Sequence, residues 1–173
     1  MSINHAEHEI FVFDFDGTIT TRDTFALFLR YYAGPVLWLM NILRLLPTFA
    51  AYKFGIIDRH AVKKAVIRRF FAGKLASDVE SRAAQFAEDV IPDLIRPTAR
   101  KRIDALLADP SCGVESLYIC SASIGPYLRS WASSAGIQIT NVMATELDVN
   151  DDRITGALKG LSLIHISEPT RPY

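Results

Sequence analysis

Apolar positions along the chain follow two patterns: short unbroken runs, and long stretches in which they recur every three or four residues. Glu9-Ile10-Phe11-Val12-Phe13-Asp14 is a run of the first kind. It predicts a buried parallel strand with Asp14 at its carboxyl end. Gly17 then breaks the run. Residues 22–95 carry the helical pattern throughout. Asp23 or Thr24 is placed to cap a first helix bearing Phe25, Leu27, Phe28 and Tyr32. Gly34-Pro35 punctuates it, and 36–54 is a strongly apolar stretch. Further helices are predicted at about 59–71 and 77–89.

After Pro97 the pattern changes. An amphipathic helix over 98–107 is stopped by Asp109-Pro110. Residues 116–120 read as a second buried strand, with Ser121 at its end. A helix over 124–135 is closed by Gly136, and 138–142 reads as a third short strand. Segments 143–149 and 153–158 flank Asn150-Asp151-Asp152 as a hairpin. Strand, helical insertion, helix, strand, helix, strand is an α/β order, which predicts a parallel sheet with right-handed crossovers. Residues 1–21 and 96–160 then form the α/β core, and 22–95 an all-α cap inserted after the first strand.

Composition narrows the classes. The 173 residues are half apolar, enough for one core with an embellishment. The formal net charge of zero weighs against a nucleic-acid partner. Cys112 and Cys120 form no metal-like cluster and read as idle thiols of a reducing cytoplasm. The start is polar, carries His5 and His8, and lacks a secretion pattern. It is expected to be exposed and disordered, and the protein cytoplasmic.

The end of the chain calls for a different reading. Leu161-Ser162-Leu163-Ile164-His165-Ile166-Ser167-Glu168-Pro169-Thr170-Arg171 is the string obtained by translating a transposase adapter common in sequencing libraries. Residues 161–173 are therefore expected to be foreign to the fold. Gly160 would be the last native residue, with the gene continuing beyond it. The alternative is a genuine strand over 161–166.

In open α/β sheets, ligands bind beyond the carboxyl ends of the strands, where Asp14 and Ser121 are predicted to stand. Asp14 and Asp16 lie two apart and run into Gly17. A calcium loop would need glycine at its sixth position and glutamate at its twelfth, but Ile19 and Phe25 stand there. Acids that merely end a strand would repel each other without a cation. A third reading, beside that one, is a phosphoryl-transfer site in which Mg²⁺ offsets the repulsion. A serine-hydrolase elbow and a Gly-rich nucleotide loop are both missing from the sequence.

Phe13-Asp14-Phe15-Asp16-Gly17-Thr18 resembles the first signature of the haloacid dehalogenase-like superfamily. That resemblance implies a Rossmann-like core, incomplete here, and an aspartyl-phosphate chemistry. Asp14 would be the nucleophile and Asp16 the general acid and then base. Asp14 and Asp16 (the latter through its backbone carbonyl) would bind Mg²⁺. Gly17 and Thr18 would contact the phosphoryl group. The acid at Asp16 favours phosphatases or phosphomutases within the family. Ser121 resembles the second signature, with its hydroxyl and the Ala122 amide on a phosphoryl oxygen. Either Ser121 or Ser123 is placed to cap the next helix; the division expected is Ser123 as cap and Ser121 facing the substrate. The family also implies a downstream lysine and a pair of acids. Lys159 comes too early for that lysine, a gap the foreign tail would explain.

The helical insertion resembles the phosphoserine-phosphatase-like branch. Its apolar stretch, interrupted by Asn41, Arg44 and Pro47, precedes a basic helix with Arg59, Lys63, Lys64, Arg68 and Arg69. The layout is similar to bacterial phosphatidylglycerophosphate phosphatases and to a peripheral contact at the inner membrane surface. The competing reading is a bundle of buried cap helices with a solvated basic face. The expected activity is a Mg²⁺-dependent phosphomonoester hydrolase acting on a small phosphate ester or a lipid phosphate. Its rivals are a phosphotransferase of the same family and an inactive fragment.

Overall fold

The computed structural model describes residues 9–110, 112 and 114–159. The expected polar start with His5 and His8, and the expected foreign tail at 161–173, lie outside the described residues. Four strands and six helices organise the rest.

Strand β1 (Phe11–Asp14) pairs in parallel with β2 (Leu117–Ile124), Phe11 facing Leu117 and Asp14 facing Cys120. Strand β3 (Val142–Asn150) adds in parallel to β2, and β4 (Arg153–Lys159) closes the sheet antiparallel to β3. The order β1-β2-β3-β4 is a mostly parallel sheet with one antiparallel edge, the α/β class the element order predicts. Asp151 and Asp152 make the hairpin turn with φ of 47° and 56°, the left-handed pair that a two-residue turn between twisted strands demands.

Between β1 and β2 come α1 (Thr24–Lys53), α2 (Arg59–Phe71), α3 (Ala76–Asp89), the single turn α4 (Ile91–Leu94) and α5 (Pro97–Ala108). Asp23 caps α1 by accepting from the Ala26 amide at 3.0 Å, and Asp58 caps α2 from Ala61 at 2.7 Å. The chain leaves the sheet and returns to it at one place. Arg96 N donates to Ile19 O at 2.8 Å and Thr21 N to Leu94 O at 2.9 Å.

Gly34 (φ 72°, ψ 163°) divides α1 into two arms. The second arm is apolar nearly all round. Trp38, Ile42, Leu45 and Phe49 pack inward. Val36, Leu39, Met40, Leu43 and Leu46 form an outward stripe, each more than two-fifths exposed. By length and composition α1 alone among the described residues could cross a bilayer, and the break at Gly34 divides it.

Two expectations fail here. Residues 138–142 do not form a separate strand: Ile139–Asn141 is a turn of 3₁₀ helix, and β3 starts only at Val142. Asn141 explains this, because its side-chain amide donates to Glu115 O and Leu117 O at 3.2 and 3.1 Å, ending the segment against β2. Strand β2 also runs on past Ser121 to Ile124, with α6 (Gly125–Ser134) starting after it.

The hairpin supports the helices. Gly73 N donates to Ile154 O at 2.8 Å, Ile154 N to Lys74 O at 2.9 Å, and Ala76 N to Asp152 O at 2.8 Å. The Asp152 carboxylate accepts from Ser77 N and Oγ at 3.3 and 3.1 Å, so a turn residue of the sheet holds the start of α3. Asp152→Gly loses those bonds and keeps the left-handed backbone. A loss of about 1–2 kcal/mol is expected, read as a shifted urea midpoint with unchanged slope. A midpoint equal to wild type would show that α3 does not depend on this cap.

Candidate active site

β1 delivers Asp14 to the end of the sheet with its side chain exposed to solvent. Thr18 Oγ1 donates to Asp14 Oδ2 at 3.1 Å. The next residue, Phe15, is fully buried, its ring edge-on to Trp131 at 4.8 Å. This anchor fixes the backbone between the two acids. Gly17, at φ 80°, then turns the chain in a conformation that a side chain would strain. Thr20 N closes the turn on Phe15 O at 2.9 Å.

Asp16 points the other way, into the protein. Its Oδ1 accepts from Thr24 N at 2.7 Å and Thr24 Oγ1 at 2.6 Å. Its Oδ2 accepts from Ser121 Oγ at 3.1 Å and Ser123 Oγ at 2.5 Å. Behind Thr24 sits the Tyr127 hydroxyl, 3.1 Å from Thr24 Oγ1. Burial, with the Asp16 charge adding to it, pushes the Tyr127 phenol far up. It therefore stays a neutral donor to a threonine whose own proton is committed to Asp16.

The serines reach Asp16 because β2 bulges. Ile119 and Cys120 pair with Val142 and Met143, but Ile124 next pairs with Thr145, so four steps along β2 match two along β3. Ser121, Ala122 and Ser123 are the looped-out residues, and a bulge re-aims side chains in this way. Ser121 and Ser123 are buried and Ala122 is exposed. Ser121 Oγ also accepts from Ser123 N at 3.0 Å. The expected division of labour between the serines is corrected here. Ser123 does not cap α6, whose first turn has no side-chain cap; both hydroxyls bind Asp16.

The sequence reading placed Lys63 on a solvated basic face of α2, and the structure corrects that too. Lys64, Arg68 and Arg69 are exposed, but Lys63 is buried. Its ammonium donates to Ala122 O and to Thr145 Oγ1, and Thr145 Oγ1 donates to Ala122 O at 2.8 Å. A residue of the inserted helices is thereby fastened to the β2 bulge. Only a charge-run pattern stood in the sequence at this position, and such a pattern does not distinguish one inward lysine from its exposed neighbours.

Desolvation lowers the Lys63 pKa to about 8, against the attraction of Asp16 and Asp23, which raise it. The unfolded chain then binds more protons than the folded one between about pH 8 and 10.5. Stability contributed at this site rises with pH across that window. Lys63→Met is expected to flatten this part of the pH dependence, as measured by urea unfolding at pH 7.5, 9 and 10. An unaltered slope would show that Lys63 titrates as an exposed lysine.

The donor set suits a hard cation in part. Asp14 offers an exposed carboxylate, whereas Phe15 O and Gly17 O in the turn after it accept from Thr20 and Arg96. Both side-chain oxygens of Asp16 are taken by hydroxyls and an amide, so its side chain is committed elsewhere. The described residues contain no group of three or more acids, histidines or cysteines gathered as metal ligands. Asp14 is then the one carboxylate of the pair open to a cation, and Mg²⁺ is a cation that takes one or two protein carboxylates and keeps several waters.

The family model for haloacid dehalogenase-like hydrolases matches residues 11–168. Protein CicA of Caulobacter vibrioides is 34% identical over 149 residues, covering 86% of this chain and 64% of that protein. The chain thus spans just under two-thirds of the length of the curated relatives it matches. Among solved structures, a Bordetella pertussis Tohama I protein of unknown function superposes with a TM-score of 0.69 at 17% identity, over 88% of this chain and 67% of that one. A phosphoserine phosphohydrolase-like protein from Francisella tularensis subsp. tularensis SCHU S4 gives 0.58 at 17% identity, over 87% and 64%. A phospho-aspartyl intermediate analogue of phosphoserine phosphatase gives 0.54 at 16% identity, over 88% and 63%. At these identities the structural matches establish a shared fold.

Proposed function

The chain belongs to the haloacid dehalogenase-like hydrolases, and on that premise we propose that it carries the nucleophile and proton-transfer acid of a Mg²⁺-dependent phosphomonoester hydrolase. The observation that carries this reading is the contrast between two carboxylates two residues apart. Asp14 is open to solvent at the end of the sheet, and Asp16 is held by hydroxyls and an amide. One is accessible to a substrate, and the other is oriented for proton transfer.

An Asp14 carboxylate oxygen attacks phosphorus, the ester P–O bond breaks, and Asp16 gives its proton to the departing alkoxide. Asp16 then takes a proton from water as that water attacks the aspartyl-phosphate, releasing phosphate and restoring Asp14. With hydroxyls donating to both its oxygens, Asp16 is set as an acceptor, the form required in the second half. A serine bond must be released before it donates in the first. Mg²⁺, when bound, supplies positive charge against the phosphoryl oxygens and the acid pair. Gly17, Thr18 and the Ala122 amide are the groups assigned to the phosphoryl oxygens, and Ser121 joins them only when its hydroxyl leaves Asp16.

Hydrolysis of an aryl phosphate with and without Mg²⁺, in the presence of an added alcohol, tests the assignment. Free phosphate as the product supports a hydrolase. An alkyl phosphate formed from the alcohol would support a phosphotransferase instead.

The substrate proposed is a small phosphate ester or a lipid phosphate. The outward apolar stripe of α1, beside exposed Lys64, Arg68 and Arg69 on α2, supports a peripheral contact with an anionic membrane surface. Arg69 Nε, bound to Asn41 Oδ1 at 2.9 Å, joins the two helices into one face. Co-sedimentation with anionic vesicles is expected, falling several-fold in a Leu39→Glu, Leu43→Glu double variant. Equal sedimentation of both proteins would remove this part of the proposal.

A further inference from the structure

A cavity of about 360 Å³ lies between the two arms of α1 and helix α2. Phe25 and Leu29 line it from the first arm, Ile42 and Phe49 from the second, and Val62 and Val66 from α2. Asp23 and Arg59 also line it, Asp23 already accepting from Ala26 N and Arg59 donating to the Tyr52 hydroxyl. One end is formed by Lys63, Ala122 and Ser123, and Ser123 is the residue whose hydroxyl holds Asp16 Oδ2. A mainly apolar cavity therefore reaches Ser123, one hydrogen bond away from the acid assigned to protonate the leaving alcohol. Its volume falls within the usual range for small-molecule pockets, roughly 300–1,000 Å³.

We propose that this cavity is the leaving-group pocket, and that the substrate is a phosphate monoester of an alcohol bearing an apolar chain. The inference rests on the phosphatase reading and deepens it. A polyol or amino-acid leaving group would bring hydroxyl, carboxylate or ammonium groups into the chamber. The six apolar side chains offer such groups no partners, and the charged lining residues Asp23, Arg59 and Lys63 already hold bonds within the protein, so a polar group entering would displace one of these or stay unpaired at a cost. An alkyl chain meets no such penalty and gains by leaving water. Lys63 stands where the phosphoryl end would meet the chain. Fastened to Ala122 O and Thr145 Oγ1, it holds the apolar wall of α2 against the β2 bulge. The chain is then directed into the cavity rather than across the sheet end.

Binding of straight-chain alkylphosphonates, from methyl to hexyl, to the whole chain with Mg²⁺ tests this by isothermal titration and requires no turnover. Full burial predicts affinity rising about fourfold per methylene, and a rise of about twofold or more supports the pocket. Val62→Trp fills the chamber and is expected to abolish the dependence on chain length. Ala26→Phe intrudes from an exposed position in the first turn of α1, at less risk to folding, and is expected to weaken it. A flat wild-type series overturns the proposal. So does a series unchanged in both variants, which would place the chain on the outward stripe of α1. Inorganic phosphate and methylphosphonate report on the phosphatase reading separately. If they fail to bind while longer phosphonates bind with a slope lost in the variants, the apolar pocket stands and the phosphoryl site does not. If no phosphonate of any length binds, both readings fall.

Discussion

Asp14→Asn is expected to reduce Mg²⁺-dependent hydrolysis of an aryl phosphate by at least about a thousandfold, to the uncatalysed background. The substitution keeps the shape of the side chain and its acceptor oxygen toward Thr18, but an amide does not attack phosphorus. The fold does not lean on this charge: Asp14 is exposed, and its carboxylate accepts from an exposed threonine. Unfolding curves of the two proteins should coincide, which separates loss of chemistry from loss of structure. Retained turnover in the Asn variant would move the nucleophile elsewhere. A wild-type chain that folds and binds phosphate but does not hydrolyse the aryl phosphate would favour the inactive-fragment reading. Asp16→Asn should behave differently. It loses proton transfer and also disturbs the bonds that join β2, α1 and the turn after β1. Its activity loss should come with lower stability, and that pairing distinguishes the two acids.

The part of this site visible in the sequence is the part encoded by local pattern. An apolar run ending in Asp14-Phe15-Asp16-Gly17 places both acids at a strand end whatever the rest of the chain does, and the register of β1 with β2 brings Ser121 to the same end. The limits of α2, the stop at Asp109 and the turn at Asp151-Asp152 were legible for the same reason, since caps and turns are local. What escaped is set by contacts distant in sequence. The bulge at Ser121–Ser123 exists because β3 pairs with Ile119 and Cys120 and next with Ile124, but with nothing between. Serines at this spacing before a helix look like caps until that pairing is known. Lys63 turns inward because Ala122 and Thr145 wait for it across the fold. On a helix with basic neighbours on either side, periodicity alone could not single it out.

Phe28→Ala is expected to cost about 3–5 kcal/mol and to lower the melting temperature by about 10 °C. Phe28 is fully buried where three helices of the insertion meet the helix after β2. Its ring lies 6.1 Å from Phe71 of α2, 5.3 Å from Phe86 of α3 and 5.2 Å from Tyr127 of α6, with Tyr32 at 5.9 Å on its own helix. Truncation removes the apolar transfer energy of a whole ring. It also leaves a void that rigid aromatic neighbours do not readily fill. Domains of ordinary stability hold only about 5–15 kcal/mol in total, so the loss is a large share of it. The site should suffer as well, because Tyr127 touches both the ring cluster and Thr24, the residue that holds Asp16 Oδ1. Any catalytic defect of Phe28→Ala should therefore exceed what its unfolded fraction explains. Phe54→Ala is the control: that side chain is 77% exposed, and a change within about 0.5 kcal/mol is expected. If the two variants melt together, the ring cluster does not join the insertion to the sheet. The route from Phe28 through Tyr127 and Thr24 to Asp16 would then be lost with it.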